Sequence, residues 1–473
     1  MTETSFPPKT QIFDAAVIGA GIVGCAIARR LVLDGLRVVV LERAPDILDG
    51  ASKANSAILH TGFDAPPGSL ELDCIRRGHE EYLEIRDRMN LPLDRCGALV
   101  LAWDEAQEAK LPELVAQAEE NGVTDTRMLS RAELLAAEPG LAPGIRAGFR
   151  VPGESLIDPW SAPHAYLLQA LENGASLLRG CAVTGGGFDG TAWRLETTRG
   201  ALRATHVVNA AGLHGDRLDR LLHGESRFEI RPRKGQFVVF DKTAARLARH
   251  ILLPVPTATT KGIVVCRTIW GNLLVGPTAE EQADRDTAAL VPETLEMLVA
   301  KGAEILPALA GEEITTVYAG LRPATEEKPY RVETWPGRNA VTAGGIRSTG
   351  LSAALGLARH VSGLLAAGGT PLPDPAWPVM PMLAEDGPRD WQCPGNGGIL
   401  CHCELVTRRE VDQALSGPLA ARSLAGLKRR TRATMGRCQG FYCSAALAEA
   451  SAGRLARPMT GPAGIPADGG HDD

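Results

Sequence analysis

Residues 12–43 read IFDAAVIGAGIVGCAIARRLVLDGLRVVVLER, and this stretch decides the fold. A short apolar run leads into the glycine-rich turn at 19–24. An apolar helical pattern follows and breaks at Asp34-Gly35, and a second apolar run, 36–41, comes directly after the break. This order predicts strand, turn, helix and strand, the opening of a parallel α/β unit.

The turn has the spacing Gly-x-Gly-x-x-Gly, formed by Gly19, Gly21 and Gly24, and Glu42 stands 18 positions after the last glycine. Between a strand and a helix, with an acidic residue at that distance, this spacing is a dinucleotide-binding fingerprint. The glycines allow the tight turn, the approach of the backbone to a pyrophosphate and close packing of helix on strand. Glu42 would accept hydrogen bonds from the ribose hydroxyls. A glycine-rich turn without a ligand is the alternative.

The bulk composition sets limits on the class of protein. The 473 residues suffice for roughly two or three folded units, and a net charge of −6 argues against nucleic-acid binding. The polar segment 1–10 does not resemble a signal peptide, and no apolar run is long enough to span a bilayer. We therefore expect a cytoplasmic protein without an integral membrane segment. Attachment to the inner face of a membrane through a partner stays open.

Local patterns predict further elements along the chain. Ser130 and Glu133 have the spacing of a capping box. Five prolines between 371 and 381 predict a linker over 371–398, and the Gly/Pro/Asp-rich end, 456–473, predicts a disordered tail. The other predicted elements are helices near 71–89, 104–121, 158–173 and 350–367, a hairpin over 192–209 and a strand over 339–343.

Three later segments carry a resemblance to a known family. They are GASKANSAILH at 50–60, VVNAAG at 207–212 and GGIRSTGLS at 344–352. Together with the dinucleotide turn, they resemble the D-amino-acid-oxidase-like flavoproteins. Within that superfamily, the segments are most similar to the branch of glycerol-3-phosphate dehydrogenase and L-2-hydroxyglutarate oxidase.

The resemblance covers about residues 12–370 and implies FAD as the cofactor. It implies an α/β fold in which a Rossmann-like FAD domain of the glutathione-reductase type is interrupted by an antiparallel-sheet substrate domain. The implied limits are 12–85, 145–222 and 335–370 for the FAD domain, and 86–144 and 223–334 for the substrate domain. The implied FAD contacts, with those of the fingerprint, are Gly19, Gly21, Gly24, Glu42, Arg43, Ser52, Asn55, Ser56, Val183, Ala211, Gly212, Gly345, Arg347, Thr349, Gly350, Leu351 and Ser352.

Oxidation of an alcohol or amine by a flavin needs a proton acceptor and, for an anionic substrate, cations. His60 is the predicted acceptor because the resemblance places its loop at the flavin, and a histidine that only binds the backbone is the alternative. The resemblance implies that Arg322 holds the anionic group and that the segment with Arg231 and Lys234 lines the pocket. Lys234 is the third predicted catalytic residue, beside His60 and Arg322. Arg231 as a solvated charge is the alternative. Arg347 is a further candidate, with a structural ion pair as its alternative.

Four of the ten cysteines fall within 43 residues, and these are the predicted metal ligands: Cys401, Cys403, Cys438 and Cys443. In a reducing compartment this clustering favours a metal site over disulfides. Thr407 and Glu410 form a second capping-box pattern, and two helices separated by a turn would bring the cysteine pairs together. The segment 399–455 resembles the small helical [2Fe–2S] domain of bacterioferritin-associated ferredoxin. A [2Fe–2S] cluster is therefore implied, and zinc is the alternative.

A flavin releases two electrons and a [2Fe–2S] cluster carries one, which favours a dehydrogenase that supplies an acceptor protein or partner subunit. The predicted substrate is a small anionic 2-hydroxy compound. Glycerol 3-phosphate leads because 50–64, with Lys53 and Asp64, is closer to that branch. L-2-hydroxyglutarate is the first alternative, and an amino or imino acid is further behind. The alternative of another class is a non-catalytic electron-transfer subunit.

Overall fold

The computed structural model describes residues 6–8, 10–256 and 262–459. Within them the α-helices are α1 Ile22–Leu33, α2 Leu70–Ile85, α3 Glu105–Glu120, α4 Arg131–Ala137, α5 Ser161–Glu172, α6 Gly215–His223, α7 Pro292–Ile305, α8 Gly350–Leu365, α9 Arg408–Ala414, α10 Leu424–Thr431 and α11 Ser444–Ala450. Short 3-10 helices lie at Ala51–Lys53, Gly212–His214, Lys242–Leu247, Pro307–Gly311 and Asp390–Gln392.

The strands, in chain order, are β1 Ile12–Ile18, β2 Val38–Leu41, β3 Ile58–Leu59, β4 Leu93–Asp94, β5 Ala98–Ala102, β6 Arg127–Ser130, β7 Ala147–Val151, β8 Ser155–Ile157, β9 Ser176–Leu178, β10 Val183–Phe188, β11 Trp193–Thr197, β12 Gly200–Asn209, β13 Arg233–Phe240, β14 Ile251–Pro254, β15 Val264–Arg267, β16 Leu273–Gly276, β17 Glu280–Glu281, β18 Ile314–Arg322, β19 Arg331–Trp335, β20 Ala340–Gly344, β21 Ile399–Cys401 and β22 Val406–Thr407.

The first sheet is built around β1, which pairs in parallel with β2 on one side and with β12 on the other. Strands β9 and β20 extend the parallel part, and the antiparallel strands β10, β11 and β19 complete the sheet. Val17, Val39 and Val40 are fully buried, as expected for parallel strands whose two faces are both covered. Helices α1, α2, α5 and α8 share one apolar core with this sheet. The predicted α/β class and the strand–turn–helix–strand opening are confirmed.

The second sheet has nine strands and is antiparallel except for the pair β5 and β14. Its longest pairing joins β13 to β18. Alternate residues of β13 enter different apolar clusters, Phe237 and Val239 on one face and Val238 and Phe240 on the other. This period of two is the expected strand geometry. A small third sheet orders β3, β8 and β4.

The C-terminal segment has its own apolar cluster, made by the hairpin β21–β22 and helices α9, α10 and α11. Residues 371–398 connect it to the rest and contain little regular structure. They are nevertheless bound: Met380 N donates to the Met89 carbonyl at 2.9 Å, and Gln169 donates to the Ala376 carbonyl at 2.9 Å. The proline-rich connection therefore lies against the first sheet's helices.

Local predictions agree closely with the elements. Both capping boxes are present, Ser130 with Glu133 and Thr407 with Glu410. Helices α9 and α10 lie between the two cysteine pairs as predicted, whereas the hairpin beneath the first pair was not predicted. Of the predicted disordered tail, residues 460–473 lie outside the described residues. No helix in the described part of the chain combines the length and apolarity that crossing a bilayer would require.

Candidate active site and cluster site

The glycine-rich turn brings β12 against the start of α1. Gly19 has φ +108°, and a Cβ there would lie 2.5 Å from the Ala210 carbonyl oxygen. A Cβ on Gly24 would lie 1.8 Å from the Gly19 carbonyl oxygen, so both positions require glycine. Gly21 is the N-cap of α1 and contributes no side-chain cap. The turn therefore presents backbone and helix N–H groups as a phosphate would need them.

Glu42 is buried at the end of β2, beside this turn. One carboxylate oxygen accepts from Ala20 N at 2.7 Å and the other from Ala44 N at 2.8 Å. Burial raises the pKa of the Glu42 carboxyl, against the lowering effect of these N–H groups. Arg43, predicted next to it, pairs with Asp286 at 2.7 Å in a solvent-exposed position.

Three segments predicted to contact the flavin meet in the structure. Ser52 Oγ accepts from Ile22 N, at the start of α1, at 3.0 Å. His60 N donates to Ser352 Oγ, in the first turn of α8, at 2.8 Å. The loop 50–60 therefore runs from the N-terminus of α1 to the N-terminus of α8.

The other predicted contacts lie at the ends of neighbouring strands. Ala211 and Gly212 lie two and three residues beyond the end of β12, and Ala211 Cα lies 3.2 Å from the Cβ position of Gly19. Val183 begins β10, just after Cys181, whose N–H donates to the Glu42 carbonyl at 2.8 Å. These positions therefore lie near the ends of β1 and β2, close to Gly19 and Glu42.

The turn between β20 and α8 presents the remaining predicted contacts. Gly345 has φ +66°, and Thr349 donates its hydroxyl to Glu71 at 2.7 Å. Arg347 is half-buried and forms no hydrogen bond or ion pair with any described residue. The helix has no side-chain cap, and its first residues are the last predicted contacts, Gly350, Leu351 and Ser352. Two uncapped helix N-termini, a buried acidic residue and obligatory glycines together fit FAD.

His60 stands beside a buried carboxylate. Leu59 pairs with Ser155 in the small third sheet, which brings His60 Nδ1 to 2.8 Å from Glu154. Glu154 is completely buried, and its other oxygen accepts from the N–H and hydroxyl of Thr61 at 2.7 and 2.9 Å. With Nδ1 engaged, Nε2 is the ring nitrogen left to face a substrate. No sequence pattern indicated Glu154, which lies 94 residues from His60.

Arg322 ends β18 and is largely buried. Its guanidinium donates to the Thr278 carbonyl at 3.0 Å and lies over Gly235, where a Cβ would be 2.6 Å from the Arg322 Nη2 atom. Burial, with a smaller contribution from Arg233, lowers the pKa of Arg322 to about 10. The group stays cationic at neutral pH and has no ion-pair partner among the described residues, so it remains available to an anion.

The strand that carries Arg322 packs on the loop that carries His60. Tyr318 donates its hydroxyl to the Asn55 carbonyl at 2.7 Å, and a Cβ on Gly320 would lie 2.4 Å from the Ala54 Cβ. Asn55 also accepts from Ala57 N at 2.8 Å, and the intervening Ser56 is half-buried. The predicted proton acceptor and anion-binding arginine therefore belong to two segments in direct contact.

Lys234 does not share the face of Arg322. Arg233 is the register partner of Arg322, so the next residue points to the opposite side of β13. There Lys234 is buried and donates to Glu280 at 3.0 Å and to the Ala289 carbonyl at 3.1 Å. Lys234 as a catalytic residue therefore remains a prediction, and in the structure its side chain lies on the opposite face of β13 from Arg322 and is paired with Glu280. Arg231 is exposed, which agrees with the alternative that it is a solvated charge.

The four clustered cysteines come from the start and the last part of the C-terminal segment, and the fold brings them close to one another. Cys401 ends β21, Cys403 follows, and Cys438 and Cys443 flank the turn before α11. The thiol of Cys403 lies near that of Cys438, and the thiol of Cys401 lies near that of Cys443. Within the described ranges no three metal-binding side chains are arranged for one metal ion. Two adjacent thiol pairs supply the four-cysteine donor set of a [2Fe–2S] cluster.

Backbone groups favour the thiolate at Cys438, whereas burial raises the pKa of Cys443 to about 12. The N–H of Tyr442 is the largest cause of a lowered pKa at Cys438, and the N–H groups of Gly440 and Phe441 add to it. Hydrogen bonds to ligand sulfurs are a common feature of iron–sulfur sites. The donor set and its surroundings therefore fit the cluster.

The chain belongs to the FAD-dependent oxidoreductase family: residues 14–364 match the model described as FAD dependent oxidoreductase. Residues 399–450 match the model described as BFD-like [2Fe-2S] binding domain. The protein is thus a flavoprotein oxidoreductase with FAD and a [2Fe–2S] cluster as cofactors. The limits of the substrate domain within 14–364 and the individual cofactor and metal contacts remain predictions.

The chain is similar to several glycerol 3-phosphate enzymes. It is 32% identical to a "Glycerol 3-phosphate dehydrogenase" of Caloramator mitchellensis, over 95% of this chain and 96% of the relative. It is 26% identical to one subunit of the anaerobic glycerol-3-phosphate dehydrogenase of Escherichia coli K12, over 92% and 87%. The FAD-bound structure of L-alpha-glycerophosphate oxidase from Mycoplasma pneumoniae matches with TM-score 0.73 and 28% identity, covering 77% of this chain and 97% of that one.

Proposed function

We propose that this enzyme oxidises glycerol 3-phosphate to the corresponding ketone and delivers the electrons through its [2Fe–2S] cluster to a protein acceptor. The observation that carries the substrate assignment is the buried, unpaired Arg322 on a strand that packs against the His60 loop. Similarity to glycerol 3-phosphate dehydrogenases over nearly the whole chain supports it.

In this proposal Arg322 binds the phosphate through paired N–H groups, and Arg347 is a second cation for the anionic substrate. His60 accepts the hydroxyl proton through Nε2, while Glu154 fixes the ring and stabilises the positive charge that the proton brings. When bound, FAD supplies the acceptor for the hydride from the carbon that bears the hydroxyl. Lys234 is assigned a structural role because Glu280 already neutralises it.

The electron acceptor in this proposal is a one-electron carrier protein or partner subunit that meets the cluster end of the molecule. Phe441 and Tyr442 lie between the cysteines of the second pair and are 83% and 74% exposed. Exposed aromatic side chains at a redox centre are suited to a protein contact. We place the reaction in the cytoplasm, with attachment to a membrane only through such a partner.

The substrate assignment can be tested by anaerobic reduction of the purified holoenzyme. Glycerol 3-phosphate should bleach the flavin absorbance with a higher second-order rate constant than L-2-hydroxyglutarate, hydroxyproline or unphosphorylated glycerol. Faster bleaching by L-2-hydroxyglutarate would assign the other 2-hydroxy acid branch. Absence of bleaching by every compound, with dithionite still reducing the flavin, would favour a non-catalytic electron-transfer subunit.

A further inference from the structure

We propose that Trp160, Trp270 and Arg432 form a junction that fixes the cluster against the flavin loop and so sets the rate of internal electron transfer. The inference rests on the proposed function for its direction of electron flow. Its three members come from the first sheet's domain, the second sheet's domain and the C-terminal segment. None of them belongs to the predicted substrate, FAD or cluster contacts.

Trp160 holds the flavin-loop end of the junction. It is the buried N-cap residue of α5, and its indole N–H donates to the Lys53 carbonyl, within the loop 50–60, at 3.3 Å. Asp158 fixes the backbone here by accepting from Trp160 N at 2.9 Å and Ser161 N at 3.0 Å. A displacement of this ring would therefore be transmitted to the loop that carries the predicted flavin contacts.

Trp270 is the middle member and comes from the tip of the hairpin between β15 and β16. Its ring stacks on Trp160 with centroids 4.8 Å apart and planes inclined by 20°. Its own indole N–H is buried without a hydrogen-bond partner among the described residues. A buried donor without a partner costs stability. Because the Trp270 indole N–H has no partner, we infer that the ring stays in this place through the stacking contacts of its two faces.

Arg432 completes the junction on the cluster side. Its guanidinium carbon lies 4.2 Å from the Trp270 ring centroid, and its Nε donates to Glu404 at 2.8 Å. Glu404 directly follows Cys403, one of the predicted ligands, and its carbonyl accepts from buried Arg389 at 3.0 Å. A single run of contacts therefore leads from the flavin loop to a cysteine of the cluster.

Apolar packing closes the same junction to water. Trp270 reaches from the second sheet's domain into the apolar core of the first, where it packs with Trp160, and Leu419 and Met435 of the C-terminal segment pack into the same core. The segment is therefore held at a fixed position and not on a flexible tether. When bound, FAD would supply two electrons one at a time, and the cluster would carry each of them to the acceptor protein before the next was transferred.

Trp270→Ala should slow cluster reduction several-fold, because electron transfer between two redox groups slows steeply as the distance between them increases. The electron is injected by photoreducing the flavin, so the result does not depend on glycerol 3-phosphate being the substrate. Cluster reduction is followed by rapid-freeze EPR, and FAD, iron and sulfide contents should stay at wild-type levels. The near-ultraviolet circular dichroism band of the stacked indoles should disappear.

Matched variants separate the junction from general damage. Trp270→Phe keeps the stacked face without the unsatisfied N–H and should retain the wild-type rate, while Arg432→Lys keeps the charge but loses the planar stack and should be slow. Trp391→Ala, at a tryptophan that is 39% exposed, is the control. Wild-type cluster reduction in Trp270→Ala with the dichroism band lost would overturn the proposal. If Trp270→Ala does not retain its cofactors, the Arg432→Lys variant gives the test instead. A wild-type rate of cluster reduction in Arg432→Lys would also overturn the proposal.

Discussion

Arg322 is the residue on which recognition of the anionic group depends in this account. Its replacement in Arg322→Ala removes a charge-assisted pair from a buried site, which should cost about 2–5 kcal/mol of substrate interaction. We expect kcat/KM for glycerol 3-phosphate to fall accordingly while FAD content is unchanged. Arg231→Ala, at an exposed arginine nearby, is the matched control and should behave as wild type. An Arg322→Ala enzyme with unaltered kinetics would remove Arg322 from the site.

Glu154 is a positioning residue that acts through His60. Glu154→Gln keeps the size of the side chain but removes the buried negative charge that faces Nδ1. The flavin reduction rate should drop by ~10²-fold, since general base catalysis contributes at least that much, and FAD binding should persist. Thr61→Val, which removes one hydrogen bond to Glu154 and leaves its charge, should have a much smaller effect. Equal, small effects in both variants would assign Glu154 a purely structural role.

At the level of elements, the turn between β1 and α1 should be intolerant of a side chain at Gly21. A Cβ there would already lie 3.2 Å from Ser52 Oγ, so Gly21→Val would displace the loop 50–60 and cover the backbone that faces the phosphates. The purified variant should contain little FAD, measured as flavin released on denaturation. Gly187→Ala, where a Cβ meets open space, is the control. Full FAD content in Gly21→Val would contradict the assignment.

The turn before α11 carries Cys438, and replacing this residue tests the predicted cluster ligands. Cys438→Ser should remove or alter the visible absorption and the EPR signal of the cluster, because one of four thiolates is lost. Flavin reduction by substrate should survive, since its residues lie in other elements. Cys393→Ser, at an exposed cysteine outside the four, is the control. Anaerobically prepared wild-type protein with one zinc and no iron would refute the cluster.

Elements whose signals are local could be predicted from sequence, and contacts between distant elements could not. The turn at Gly19 and the capping box at Thr407 depend on neighbouring residues, and both form as predicted. The approach of Glu154 to His60 depends on pairing two short strands that are far apart in the chain. The face on which Lys234 lies could not be predicted for the same reason, because it is set by register with β18 and not by its own segment.

In the whole molecule, the C-terminal segment packs directly against the FAD-dependent oxidoreductase part of the chain. Composition predicted a linker over 371–398, yet that stretch is bound along its length, and α10 contacts the loop after β2 through Arg430 and Asp46 at 2.8 Å. Proline content predicts that a segment lacks helix and strand, but it does not predict whether the segment packs against another part of the protein. The flavin and cluster sites consequently belong to one continuous packed structure, which suits direct internal transfer.

Glycerol 3-phosphate should reduce both cofactors of one chain, and an anaerobic titration measures this. Substrate is added stepwise to holoenzyme of known FAD, iron and sulfide content while flavin absorbance and the EPR signal of the reduced cluster are recorded. We expect flavin bleaching to be accompanied by a reduced-cluster signal that Cys438→Ser lacks. Flavin bleaching without any cluster signal, in protein whose cluster dithionite can reduce, would contradict it.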